Sequence, residues 1–345
     1  MKKQSILSII AAVIFLLGLV LMLFLVPGNT PENEQPTEPA PVETVMPSTE
    51  DPTEPPTTEP PTEPPTEPPT EPPTDPPAET VLPENTSITA TYSFVYDCNA
   101  GYPLFLGGDP EARLAPASLT KMVTARVALR CMDPEDVVTV GEEVTWIDPE
   151  SSVAYLQPGH QLTVEMLVQG LMMQSGNDAA YTLAVAGGRA LFGDETLERR
   201  QAYNLFVDEM NKEVRELGLK NTHFMNPDGI DEEGHYTTVN DLILLSCVTM
   251  EDPLIMKYAG MAKANVEFVS GQTCTWYNSN YFLHEDLSFY RADAIGLKTG
   301  STSGAGKCLI SLFQQEDSLL LVGVLGCPYD ENRYTDTVTL LDIYQ

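Results

Sequence analysis

Three short patterns in this chain have residue types and spacing suited to joint chemistry. Ser118 and Lys121 lie three residues apart in "APASLTKMVTA", Ser175 and Asn177 flank a glycine in "MQSGNDAA", and Lys298-Thr299-Gly300 ends "AIGLKTG". Each pattern occurs once. A serine hydroxyl is a weak nucleophile until a neighbouring base takes its proton. The four histidines, at 160, 223, 235 and 284, fall in no triad arrangement, which leaves Lys121 as the nearby base. To accept a proton Lys121 must be neutral part of the time, which desolvation or a second positive charge achieves. Lys298, carried across a cleft on an edge strand, is expected to supply that charge. Taken alone, Ser-x-x-Lys arises by chance about once in a chain this long, and it reads as a helix cap followed by a solvated lysine. The other two patterns turn the reading toward catalysis.

Positioning these groups requires particular elements. "SLTKMVTARVALRCM" carries Leu119, Met122, Val123, Val127 and Ala128 at helical spacing, so Ser118 and Lys121 fall one turn apart at a helix start. "TVEMLVQGLMMQSGNDAAYTLAVAGG" predicts two helices joined at 174–177, and "TLERRQAYNLFVDEMNKEVRELG" a long amphipathic helix closed by Gly218. "ATYSFVYDCNAGYPLFLG" predicts a hairpin around Asn-Ala-Gly. "AIGLKTG", "KCLISLF" and "LLLVGVLG" read as strands, and "DTVTLLDIYQ" as a final helix. Hairpin, helices, strands and a last helix give an α+β order whose two ends meet in one antiparallel sheet. Asn226-Pro227-Asp228-Gly229 reads as a turn, with His235 and Tyr236 beyond it structural. Trp146 and Trp276 carry no role that the sequence argues.

The rest of the chain differs in kind. Behind residues 1–5, with Lys2 and Lys3, the run 6–26 holds no charge over 21 residues, enough to cross a bilayer as a helix of roughly 30 Å. It is longer than a signal-peptide core and lacks an A-x-A site, so it is expected to anchor the chain with its N-terminus inside and the remainder outside. Cleavage would instead release a secreted protein. From 27 to 84 follows an acidic Pro/Thr-rich stretch. Between Pro31 and Glu84 it has 14 Asp or Glu, no Lys or Arg, and 19 of the 29 prolines, with four Thr-Glu-Pro-Pro repeats and one Thr-Asp-Pro-Pro from Thr58. Such a segment has little to bury and is expected to be a semi-rigid polyproline stalk of up to ~170 Å.

The folded part is expected over 85–345. Its 16 Lys and Arg against 36 Asp and Glu argue against a nucleic-acid partner and suit solubility at a cell surface. None of the six cysteines shows C-x-x-C spacing, so neither a zinc site nor any other metal or cofactor is expected. Cys308 and Cys327 lie nearly symmetric about an apparent hairpin turn, which suggests a cross-strand disulfide, and Cys131 and Cys247 read as core thiols.

The three patterns together resemble the motif set of penicillin-binding proteins and class A β-lactamases. Across nearly all of 90–340 the chain is similar to the low-molecular-mass D-alanyl-D-alanine carboxypeptidases, serine peptidases of family S11. "PASLTKMVTA", "LQPGHQLTVEMLVQGLMMQSGNDAA", "LGLKNTHFMNPDGIDEEGHYTTVNDL" and "IGLKTGSTSGAGKCL" carry the likeness. Class A β-lactamases have Asp where this chain has Gly176, and no comparable deacylating Glu-x-x-x-Asn segment follows Asn177. The resemblance implies a β-lactamase/transpeptidase-like fold, an antiparallel sheet flanked by helices plus a mostly helical subdomain, with the active site between them.

It also implies roles. Ser118 attacks the penultimate D-alanine of a peptidoglycan stem peptide, Lys121 takes its proton, and Ser175 relays a proton to the leaving amine. Asn177 holds the substrate amide, while Lys298, Thr299 and Arg333 meet the terminal carboxylate. Gly300 leaves room for substrate along the strand, and the backbone N–H groups of Ser118 and Ser301 hold the oxyanion. β-Lactams would acylate the same serine. Many relatives continue into a β-rich domain and a C-terminal amphipathic helix, whereas here anchor and stalk are expected in front. The alternatives within the fold are a D,D-endopeptidase or a weak β-lactamase. From another class comes a non-catalytic, wall-attached penicillin-binding sensor, which would not need all of these side chains.

Overall fold

The computed structural model describes residues 79–344. Along the chain its elements are β1 (Tyr92–Asp97), β2 (Tyr102–Gly107), α1 (Lys121–Cys131), β3 (Val137–Thr139), β4 (Gln161–Thr163), α2 (Val164–Met173) and α3 (Asn177–Phe192). Then come α4 (Arg199–Glu216), α5 (Val239–Met250), α6 (Pro253–Ala259), β5 (Lys263–Glu267), β6 (Thr273–Tyr277), β7 (Ala294–Thr302), β8 (Gly306–Gln314), β9 (Leu319–Cys327) and α7 (Asn332–Tyr344). The main sheet runs β2-β1-β9-β8-β7 with every pairing antiparallel. Tyr92 of β1 lies opposite Leu325 of β9, so the ends of the folded part meet in one sheet as the α+β order predicts. β7, which carries Lys298-Thr299-Gly300, is left at the edge.

Alternation along β8 and β9 divides the core in two, because successive strand side chains point to opposite faces. Cys308, Ile310, Leu312 and Leu321 face the helical layer, whereas Leu309, Phe313, Leu320 and Val322 pack with Tyr334, Leu340 and Leu341 of α7. Within the helical layer α1 is surrounded by α2, α3, α4 and α5. Its Met122, Val123, Ala125, Val127 and Ala128 are fully buried. Burial of each large side chain contributes about 1.5–3 kcal/mol, so this helix, and with it Ser118 and Lys121 at its start, is fixed by the core rather than by local propensity.

The structure departs from the sequence reading in several places. Cys308 and Cys327 are not bridged, and all six cysteines are free thiols. A bulge between Lys307 and Leu309 breaks the register, and the two thiols belong to opposite faces: Cys308 lies in the helical-side core and Cys327 against Asp336 of α7. Two small antiparallel pairs, β3-β4 and β5-β6, and the helix α6 were not anticipated, whereas α5 forms where Cys247 sits in a helical apolar pattern. α7 begins at Asn332, which puts Arg333 in its first turn. Glu79 runs beside β2, its N–H donating to Leu104 O at 2.8 Å, so ordered contacts start before Asn85. Residues 1–78, with the expected span at 6–26 and most of the stalk, lie outside the described residues. Among the described residues no helix is long and apolar enough to cross a membrane.

Candidate active site

Ser118 does not sit on the α-helix itself but on a 3-10 turn, Ala117–Thr120, that feeds into Lys121 as the first residue of α1. Ala117 adopts φ 49, a left-handed conformation costly for a residue with a Cβ, so the turn is held by its surroundings. Lys121 is fully buried. Its Nζ donates to Ser118 Oγ at 2.8 Å, Asn177 Oδ1 at 2.7 Å and the Asp228 carbonyl at 2.6 Å. Burial pulls its pKa down to about 8, against the opposing charges of Asp228 and Asp178. Desolvation is therefore the leading cause of the lowered pKa of Lys121, and the two lysines also repel one another. The repulsion shows on the partner: Lys298, also fully buried, is held well below the ordinary lysine range by burial first, then by Lys121 and Arg333.

The second pattern forms the turn between α2 and α3. Asn177 opens α3, its Nδ2 donates to Ser151 Oγ at 2.8 Å and its N–H to Ser152 O at 2.8 Å. Asp178, beside it, accepts from the N–H groups of Ala154 and Leu156 at 2.8 Å each, so its buried carboxylate pins the 151–156 loop over the site. The fully buried Trp276 finds a role here, donating its indole N–H to Ala154 O at 3.0 Å. Ser175 is buried with φ 56, a second strained position. Among the described residues its hydroxyl makes no hydrogen bond to Lys121 or Lys298.

On the opposite side, β7 presses against the Ser118 turn. A Cβ on Gly300 would lie 3.0 Å from Ala117 Cβ and 3.3 Å from Ser118 N. The missing side chain thus makes room for the Ser118 turn. Lys298 Nζ donates to the carbonyl of Thr299 at 3.1 Å. Arg333 reaches back from α7, its Nη1 3.5 Å from Gly300 O and its Nη2 2.7 Å from Asp330 Oδ1, while its Nε is buried without a partner. Ser301 Oγ accepts from Lys307 Nζ at 2.8 Å across the β7-β8 pair. The structure thus gathers Ser118, Lys121 and Asn177 in one hydrogen-bonded cluster. Gly300, and Arg333 through its carbonyl, border that cluster.

Sequence reasoning missed the back wall. The Asn226–Gly229 turn is more than punctuation, because the Asp228 carbonyl is an acceptor for Lys121 and lies 3.4 Å from Ser118 Oγ. Gly229, at φ 91, packs so tightly on Ala117 that a Cβ would lie 1.8 Å from its carbonyl oxygen. Pro227 O accepts from Thr124 Oγ1 of α1 at 2.6 Å. The turn's presence beside the motifs was the available signal. A backbone carbonyl has no residue identity to read. His235 is structural, as expected: its Nε2 meets Thr120 Oγ1 at 2.9 Å, and burial lowers its pKa to about 4, so it stays neutral.

Known proteins resemble the chain over this whole assembly. The D-alanyl-D-alanine carboxypeptidase family, S11, matches residues 79–328. D-alanyl-D-alanine carboxypeptidase DacF of Bacillus subtilis is 29% identical over 234 residues, covering 67% of this chain and 56% of that protein. DacC of Escherichia coli is 32% identical over 246 residues, covering 68% and 56%. This chain therefore spans a little over half the length of those two relatives. The crystal structure of the DD-transpeptidase of Streptomyces K15 superimposes with a TM-score of 0.67 at 27% identity, covering 74% of this chain and 97% of that one.

Proposed function

The chain belongs to the S11 D-alanyl-D-alanine carboxypeptidase family, and on that premise we propose that it removes the terminal D-alanine from peptidoglycan stem pentapeptides through an acyl-enzyme on Ser118. The observation that carries the reading is the set of three acceptors around Lys121 Nζ. An ammonium has three protons and fills all three contacts. A neutral amine has two protons and one lone pair. It can keep Asn177 Oδ1 and Asp228 O as acceptors while taking the Ser118 proton with the lone pair. Both protonation states fit without rearrangement, which is what a general base beside a nucleophile needs.

In the acylation step Ser118 Oγ forms a bond to the carbonyl carbon of the penultimate D-alanine as its proton passes to Lys121. The C–N bond then breaks as a proton, which Ser175 would relay, reaches the leaving amine, and D-alanine departs. The N–H groups of Ser118 and Ser301 would hold the oxyanion, worth about 3–4 kcal/mol per donor. Lys298, Thr299 and Arg333 would take the terminal carboxylate. Water, activated by the neutral Lys121, completes hydrolysis. β-Lactams, which present a carboxylate beside a strained amide, would acylate the same serine. A site outside the membrane, tethered by the run at 6–26, agrees with the paired Lys2 and Lys3 before that run and with a wall substrate.

The Streptomyces neighbour, a DD-transpeptidase, favours one second reading, transfer of the acyl group to an amine instead of water. The test is to incubate the full chain with an acyl-D-Ala-D-Ala pentapeptide, with and without an amine acceptor, and analyse products by mass. Free D-alanine with a shortened peptide supports the hydrolase. A peptide joined to the acceptor supports the transferase, and neither product refutes both.

A further inference from the structure

Ser279 belongs to none of the three patterns, yet it joins elements that carry them. It lies between β6 and β7. Its N–H donates to the carbonyl of Met173 at 3.1 Å, two residues before Ser175. Its carbonyl accepts from Tyr334 Oη at 3.1 Å, beside Arg333. Its Oγ shares a hydrogen bond of 2.6 Å with Thr299 Oγ1. The flanking asparagines fix the segment. Asn278 Nδ2 donates to Ala259 O at 3.0 Å, Asn278 Oδ1 accepts from Asn280 N at 2.9 Å, and Asn280 Nδ2 donates to Ser311 Oγ at 3.1 Å. The backbone of Ser279 is thus held by two hydrogen bonds and by its two anchored asparagine neighbours, and its hydroxyl is left with one protein partner among the described residues, Thr299.

A hydroxyl has one proton to give and two lone pairs to receive. In the Ser279–Thr299 pair only one of the two can donate to the other, and geometry alone permits either direction. An anion beside Thr299 decides it, because the carboxylate accepts and does not donate. Thr299 must then turn its proton outward, and its oxygen receives from Ser279. We propose that Ser279 is a positioning and specificity residue: by donating to Thr299 Oγ1 it commits the Thr299 proton to the terminal carboxylate of the substrate. The inference rests on the reading that Lys298 and Thr299 meet that carboxylate. Donation from Ser279 also polarises the Thr299 O–H and strengthens its bond to the anion.

The test uses the full chain as wild type, Ser279→Ala and Ser279→Thr, with two probes that differ at one end. The first is an acyl-D-Ala-D-Ala peptide, which has the terminal carboxylate. The second is the same acyl peptide ended by a boronic acid at the penultimate position, which engages Ser118 but has no such carboxylate. Ser279→Ala is expected to raise KM for the first about tenfold with kcat within about twofold, and to leave the boronate inhibition constant within about twofold. Ser279→Thr, which retains a donor, should recover most of the lost KM. An unchanged KM overturns the proposal. So does an equal loss on both probes, which would mark a general distortion of the site, and so does a threonine variant no better than alanine. A wild-type chain that releases no D-alanine refutes the underlying carboxypeptidase reading before any variant is compared.

Discussion

Two lysines of the site, Lys121 and Lys298, are buried, and they are provided for differently. Lys121 is surrounded by three protein acceptors between 2.6 and 2.8 Å. Lys298 has one hydrogen bond among the described residues, to the Thr299 carbonyl at 3.1 Å, although it is as deeply buried. Burying an ammonium is costly unless its protons are matched. The first lysine is therefore complete in itself, able to hold or release a proton with its neighbours in place. The second is under-coordinated and repelled by the first, so an incoming anion has most to offer there. In the function proposed above, the first group would move a proton and the second would receive a carboxylate.

The largest effect should come from breaking the first side. Lys121→Met keeps the volume but removes the base, and acylation is expected to fall by about 10³-fold or more in stopped-flow assays. An acylation rate within tenfold of wild type would show that another group takes the proton. Lys298→Met should act on the other side, raising KM for peptides with a free terminal carboxylate by about 10–100-fold with a smaller change in kcat. An effect confined to kcat would erase the distinction between the two lysines.

The pH dependence sharpens the comparison. Because the pKa of Lys121 is lowered to about 8 and the neutral form is the base, acylation should rise about tenfold per pH unit below 8 and level off above it. A rate that falls as pH rises through 8 contradicts the assignment. The smallest effect is expected between the two sides. Gly300→Ala puts a methyl 3.0 Å from Ala117 Cβ, which should cost about 1–3 kcal/mol in denaturant unfolding and about tenfold in acylation as the Ser118 turn shifts. Unaltered stability would mean the turn yields freely.

The proton-transfer side was far more legible in the sequence than its supports. Ser118 and Lys121 meet because residues three apart across a helical start share a face, which is local geometry. The α+β order and the meeting of β1 with β9 followed from hydrophobic period and turn residues. What escaped depends on tertiary contact. The Asp228 carbonyl is a main-chain atom, and Ser279 is one serine between two asparagines, so neither had a residue pattern to betray it. Gly300 was recognised, but which neighbour fills its space depends on how β7 packs on Ala117. The Cys308–Cys327 bridge failed because a single bulge changes which face of a strand a residue occupies.

The central claim is that Ser118 is the nucleophile and Lys121 its base. The most direct measurement is intact-mass and peptide-mapping mass spectrometry of wild type, Ser118→Ala and Lys121→Met after brief exposure to a penicillin, with D-alanine release followed in parallel. The wild type should carry one penicilloyl adduct, on the peptide containing Ser118. Adduct and D-alanine release should be absent in Ser118→Ala, and both should form about 10³-fold more slowly in Lys121→Met. An adduct on another residue, or D-alanine released by Ser118→Ala at the wild-type rate, would contradict it.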